Sequence, residues 1–250
     1  MSAAALINAS VVLAGRPALD GVSFSIEPGE FVALTGPNGA GKSTAIRALL
    51  GLVPLSAGEA RLGGDPVQSL SPSERGRRAA WLAQDRSSAW AIRVKDLAAL
   101  GRFAWSGAPY ERLAEEDRAI VDDALERAGA AALADRPLDA LSGGEQARAH
   151  LARALAARAP VLAVDEPANA LDLRHQHEAM AVLRAEADRG AAVIAALHDL
   201  DAAARWADRV IVLNQGRVAA DAAPAAALSE ELLAGVFGVR RRPQGGYEPV

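Results

Sequence analysis

Nine consecutive residues, Gly36-Pro37-Asn38-Gly39-Ala40-Gly41-Lys42-Ser43-Thr44, constrain this chain more than any other stretch. They fit G-x-x-x-x-G-K-S/T, with the apolar run Phe31-Val32-Ala33-Leu34-Thr35 before them and helically spaced Ile46, Leu49 and Leu50 after them. Glycines let the backbone turn tightly so that successive N–H groups converge on phosphate oxygens, and the helix N-terminus adds partial positive charge. The pattern predicts strand, phosphate loop and helix, with Lys42 reaching the β- and γ-phosphates and Ser43 a ligand for Mg2+. A glycine-rich strand-to-helix turn without a ligand is the plainer reading, and the flanking strand and helix weigh against it. Lysine occurs only at 42 and 95, whereas 25 of the 27 basic residues are arginine.

Further apolar runs alternate with helical patterns, which is the signature of an α/β domain with a mainly parallel sheet. Val161 to Asp165, Ala191 to Leu197 and Arg209 to Leu213 read as strands, each after a helix-like segment. The looser alternation from Leu6 to Ile26 predicts antiparallel strands at one edge. Between about Ser87 and Pro160 no strand pattern stands out, while Ile120, Val121, Ala124, Leu125 and Ala128 share one helical face. The expected organisation is a core of about 1–86 and 160–239, a helical insertion of about 87–159, and a tail of 240–250 that frays around Pro243, Gly245, Gly246 and Pro249.

Composition excludes several classes. Apolar residues make up 51% and charged residues 23%, so the chain can build a sizeable core. Net charge is −4, which argues against general nucleic-acid binding, and Trp81, Trp90, Trp105 and Trp206 show no stacking-platform spacing. Cysteine is absent, removing disulfides and thiolate chemistry. No secretory signal is visible, and the run Ala191 to Leu197 is far short of the about twenty residues a membrane span needs.

Two more motifs carry chemistry. Asp165-Glu166-Pro167 closes a predicted strand, and a carboxylate there points into the crevice where parallel sheets bind ligands. Asp165 is placed to hold Mg2+ and Glu166 to act as general base on an attacking water. Leu141-Ser142-Gly143-Gly144-Glu145-Gln146 reads first as a capping box, Ser142 capping a helix and Glu145 reaching back. Ser71-Pro72-Ser73-Glu74 has the same pattern with proline at the first helical position. Two glycines in a first turn, however, cost helix stability and admit close backbone approach. This second helix N-terminus lacks a lysine and suits capping a γ-phosphate held by another loop.

Taken with Gln84, Ala170-Leu171-Asp172 and His198-Asp199, these motifs resemble an ABC transporter ATP-binding subunit, in order and spacing, over essentially the whole chain. The resemblance implies an α/β P-loop NTPase core with a helical subdomain, and a homodimer that sandwiches ATP and Mg2+ between the phosphate loop of one copy and Ser142, Gly143, Gly144 and Glu145 of the other. It also implies that Gln84 senses Mg2+, that Asp172 belongs to a loop crossing the dimer, and that His198 contacts the γ-phosphate. Val94 to Arg102, Asp117, Leu171 to Gln176 and Leu197 to Leu200 resemble the branch that imports iron-siderophores, haem and cobalamin. Implied partners are two membrane-spanning permease subunits and, indirectly, a solute-binding protein, with the ATPase at the cytoplasmic face of the membrane. Leu13 stands where the family often stacks an aromatic on adenine, which predicts weak base selectivity, and Ala168-Asn169 replaces the usual Thr-Ser.

A lone P-loop kinase or GTPase has no use for Ser142-Gly143-Gly144, and the Asn-Lys-x-Asp guanine motif is absent. A non-transport ABC ATPase usually carries two cassettes or a coiled-coil insertion; here there is one phosphate loop and no heptad stretch. His175 and His177, two apart on a helix, face different sides and make no metal pair. His150 reads as surface or packing. Trp90 and Trp105 flank the helical insertion, with core packing expected.

Overall fold

The computed structural model describes residues 2–84, 91–167, 172–242, 244 and 246–250. Trp90, Ala168, Asn169, Ala170 and Leu171 lie outside them.

The first two strands, β1 (Ala4–Leu13) and β2 (Arg16–Ile26), form an antiparallel hairpin. Then come β3 (Phe31–Thr35), α1 (Lys42–Leu49), β4 (Ala57–Leu62), β5 (Asp65–Pro66), α2 (Pro72–Arg78) and β6 (Ala79–Leu82). The helical insertion supplies α3 (Val94–Ala99), α4 (Glu115–Arg127) and α5 (Gly143–Ala156). The chain returns to the sheet with β7 (Val161–Asp165), α6 (Leu173–Asp188), β8 (Ala192–Ala196), α7 (Leu200–Trp206), β9 (Arg209–Asn214) and β10 (Arg217–Ala222). Short helices α8 (Pro224–Ala227) and α9 (Glu230–Leu232) lead to the hairpin β11 (Val239–Arg241) and β12 (Tyr247–Pro249).

The main sheet runs β10-β9-β3-β8-β7-β6, parallel except for β10, and the edge sheet runs β2-β1-β4-β5. Strands β3, β7 and β8 are buried along their full length, as a parallel sheet covered on both faces requires. Alternate residues feed two cores. Phe31, Ala33, Leu162, Val164, Val193 and Ala195 join the helical insertion, α6 and α7. Val32, Leu34, Val161, Ala163, Ile194 and Ala196 join α1 and the edge sheet. Period-2 alternation in uniformly apolar strands thus assigns each side chain to one layer.

The structure departs from the sequence reading at three points. Strands β4 and β6 were not legible in the sequence; β6 has four residues with alternate ones half-buried, too short for a clear pattern. Of the tail expected to fray, Pro243 and Gly245 lie outside the described residues, and the described ones are tied together: β11 pairs with β12 in register Val239↔Pro249 to Arg241↔Tyr247, held by Arg240 and Arg242 on Glu248 at 2.7 and 3.1 Å. Trp105 also departs from its expected core role, standing 45% exposed between the guanidinium groups of Arg77 and Arg102.

Candidate nucleotide site

The phosphate loop springs from the buried end of β3 and runs into α1, with β8 and β9 beside β3. Its glycines are required by close approach. A Cβ on Gly36 (φ 147°) would lie 2.1 Å from the carbonyl oxygen of Leu213, and one on Gly41 (φ 104°) 2.7 Å from that of Ala18. Gly41 caps α1 without a side-chain hydrogen bond and no acidic residue stands in the first turn, so the helix's partial positive charge is left for an anion. Pro37, Asn38, Gly39 and Ala40 form the bend between, with Asn38 and Gly39 exposed and Ala40 N–H donating to Pro37 O at 3.1 Å. Ser43 and Thr44 follow in the first turn.

Lys42 is buried and folds back on the loop, its Nζ donating to Gly36 O at 2.7 Å and Pro37 O at 3.1 Å. Burial pulls its pKa below the ordinary lysine value, opposed by the carboxylates of Glu166 and Asp165. Ser43 Oγ donates to Asp165 Oδ1 at 3.0 Å across the gap between α1 and β7. Asp165 is fully buried, its Oδ2 has no hydrogen-bond partner, and burial raises its pKa despite the Ser43 bond. An orphaned buried carboxylate oxygen beside a serine hydroxyl is the donor set a hard divalent cation takes, so these residues fit Mg2+. No cluster of three His, Cys, Asp or Glu suited to a metal occurs among the described residues, so water and phosphate oxygens would complete the shell.

Glu166 follows Asp165 with φ 51°, a left-handed conformation that costs a non-glycine residue about 1–2 kcal/mol. The turn is fixed by Glu166 N–H donating to Ala196 O at 3.1 Å, and it swings the carboxylate off the strand. Gln84, just past β6, donates its Nε2 to Glu166 Oε2 at 2.6 Å. His198, just past β8, hydrogen-bonds Glu166 Oε1 through Nε2. Three strand ends thus deliver Gln84, Glu166 and His198 to one cluster. The Gln84 amide lies on Glu166, one residue beyond the Asp165 that pairs with Ser43.

Ser142 caps α5 in the expected box: Glu145 N–H donates to Ser142 Oγ at 3.4 Å, and Ser142 N–H to Glu145 Oε2 at 2.8 Å. The backbone bond from Ser142 holds the Glu145 carboxyl below its ordinary pKa. Gly143 is exposed with open space where a Cβ would stand. A cavity of about 770 Å3 lies chiefly between α6 and α7, against His177, Met180 and Trp206, and reaches Asn38, Glu166, Pro167 and His198; Gly144 lines a second cavity of about 640 Å3 together with Pro167 and His175. Asp172 caps α6, accepting from His175 N–H at 2.9 Å and pairing with His175 Nδ1 at 2.8 Å. His175 was not singled out as functional, yet its ring lies in van der Waals range of a Cβ built on Gly144, which places it between two motifs. Its spacing from the capping Asp172 was the available signal. His177 faces Trp206 instead, and His150 is buried in α5.

A phosphate loop fed by a central parallel strand, with a buried aspartate on its serine and a carboxylate turned out one residue later, defines a P-loop nucleotide-binding ATPase. The family model described as "ABC transporter" matches residues 19–169, and the chain belongs to that family. The Streptomyces coelicolor protein named "Hemin import ATP-binding protein HmuV" is 46% identical over 227 residues, covering 91% of this chain and 80% of that protein. The Halobacterium salinarum "Cobalamin import ATP-binding protein BtuD" is 42% identical over 233 residues, 92% of this chain and 57% of that protein. Among solved structures, a dimeric post-hydrolysis state of the ATP-binding cassette MJ0796 bound to ADP and Pi superposes with a TM-score of 0.76 at 26% identity, covering 88% of this chain and 98% of that one.

Proposed function

We propose that the chain is the ATP-hydrolysing subunit of an importer for haem, cobalamin or a similar metal chelate such as an iron-siderophore, working as a homodimer beneath a membrane permease. The relatives support the solute class, and the site supports the motor. No helix among the described residues is long and apolar enough to cross a membrane; in this reading the chain sits at the cytoplasmic face against a separate permease of two membrane-spanning subunits. A solute-binding protein would deliver the cargo. A surface groove of about 560 Å3, lined by Pro72, Gly76, Trp81, Leu100 and Phe103, suits a permease segment, and Phe103 is 69% exposed beside it.

In the mechanism, Lys42 leaves the carbonyls of Gly36 and Pro37 for the β- and γ-phosphates of ATP. Ser43 and Asp165 would hold Mg2+, which when bound neutralises phosphate charge. Glu166 accepts a proton from the water that attacks the γ-phosphorus, in line with the departing ADP oxygen. Gln84 and His198 fix its two carboxylate oxygens, and His198 also has reach to the γ-phosphate. Ser142 and the N–H groups of Gly143 and Gly144 from a second copy cap that phosphate, with Asp172 at the crossing. A ligand gripped by both copies favours the closed pair, and hydrolysis releases it.

One observation carries this reading: Glu166, with its carboxylate held by Gln84 and His198, follows directly on the buried Asp165 that accepts from Ser43 of the phosphate loop. Glu166→Gln removes the base and leaves the clamp. It is expected to bind ATP, nearly stop hydrolysis and elute as an ATP-dependent dimer; a monomeric, fully active variant would refute the role.

A further inference from the structure

The C-terminal hairpin docks on α7, the helix that follows His198. β8 ends at Ala196, and Leu197 N–H is tied to Leu34 O at 3.0 Å, so the backbone before His198 is fixed by the sheet. The backbone after it runs into α7. Asp199 caps that helix, its Oδ1 accepting from Asp201 N–H at 2.8 Å and Ala202 N–H at 3.1 Å. From outside, Tyr247 on β12 donates its hydroxyl to Asp201 Oδ1 at 3.0 Å. The Tyr247 ring packs against the main core together with Val239 and Phe237, and the Arg241 guanidinium stands 5.8 Å from the ring and donates to its hydroxyl at 3.4 Å. Burial first, then the Asp201 carboxylate, raises the phenol's pKa, so it stays a donor at neutral pH. Val250 N–H donates to Gly238 O at 3.0 Å and closes the hairpin at its end.

A continuous run of contacts therefore leads from β12 through Asp201 and the Asp199 cap to His198 and on to Glu166. We infer that Tyr247 is a positioning residue for hydrolysis: by holding the first turn of α7, it sets where His198 presents its ring to Glu166 and to the γ-phosphate. Tyr247 touches neither nucleotide nor water. Its loss loosens a catalytic contact without altering the phosphate loop, so turnover falls while nucleotide affinity holds. The inference rests on the role given above to His198 and Glu166.

The test is steady-state hydrolysis by the full-length chain. Tyr247→Phe and Asp201→Ala are each expected to lower kcat about five- to tenfold, within the range for one lost ordinary hydrogen bond at an exposed carboxylate, with KM within about twofold. Asp201→Asn keeps an acceptor for the phenol and is expected to retain most of the rate. The Tyr247→Phe, Asp201→Ala double variant is expected to be no slower than either single, because both remove the same contact. His198→Ala is the reference. Slow His198→Ala with wild-type kcat in Tyr247→Phe overturns the latch alone. A fully active His198→Ala overturns the proposed site and the latch with it. Multiplying losses in the double variant, or a fall in Tyr247→Phe melting temperature with kcat and KM both disturbed, would mean that the hairpin merely stabilises the fold.

Discussion

Arg102 is the point at which the helical insertion can be broken with a calculable effect. Its guanidinium is buried, pairs with Asp117 at 2.8 Å, and donates to the carbonyl oxygens of Ala156 and Ala157 at 3.3 and 3.4 Å. It thereby ties the end of α3 and the start of α4 to the carbonyl end of α5, where a cation also complements the helix dipole. Arg102→Ala leaves Asp117 only 16% exposed with no counter-ion and strips two carbonyls of a donor. Removing one partner of a buried pair costs about 3–5 kcal/mol. For a chain of this size that is a fall in melting temperature of about 6–20 °C. Asp117→Asn keeps an acceptor for the Arg102 Nε and should cost less. Denaturant titration followed by circular dichroism reads both variants, together with the double variant. The two substitutions should be strongly non-additive, since each removes the same pair. An Arg102→Ala variant within about 1 kcal/mol of the parent would refute the reasoning. Because Ser142 caps α5, hydrolysis should also fall in this variant at temperatures where it remains folded.

Two other outcomes are expected. Leu13 closes β1 opposite Arg16 and stays 43% exposed, with no aromatic ring to stack on a base. ATP and GTP should therefore compete for the site with affinities within about threefold, about 0.6 kcal/mol, and a large ATP preference in competition binding would contradict this. Glu145 has its folded pKa below the ordinary 4.5, so its charge contributes stability that is present above 4.5 and lost as pH falls through the lower folded value. The stability difference between the parent and Glu145→Gln, followed by thermal melts from pH 7 to pH 3, should close over that window; a gap unchanged at pH 3 would refute the linkage.

What was legible in the sequence was local. The phosphate loop announces itself because its glycines, lysine and hydroxyl are adjacent, and Asp165-Glu166 because a strand end is a local event. The capping boxes at Ser71 and Ser142 span four residues each and formed as expected. The contacts that organise chemistry were not local. Gln84 meets Glu166 from 82 residues away, and only the parallel pairing of β6 with β7 brings them together. The ring of His175 beside Gly144 follows from α5 lying next to α6, which no periodicity within either helix encodes. The tail misled for the same reason. Its prolines and glycines read as a frayed end, but Glu248 and Tyr247 tie the described residues to Arg240, Arg242 and a helix 46 residues earlier.

The central claim is that Ser142 completes the site of another copy. The chain contains no cysteine, so engineered thiols report without background. Asn38 and Ser142 are both exposed. Single variants Asn38→Cys and Ser142→Cys, each in the Glu166→Gln background, are mixed and oxidised with and without ATP and Mg2+. The account predicts a disulfide-linked pair containing one chain of each kind, formed with nucleotide and absent without it. Failure of that mixed species to form in the presence of ATP and Mg2+, with both thiols shown to be reactive, would contradict it.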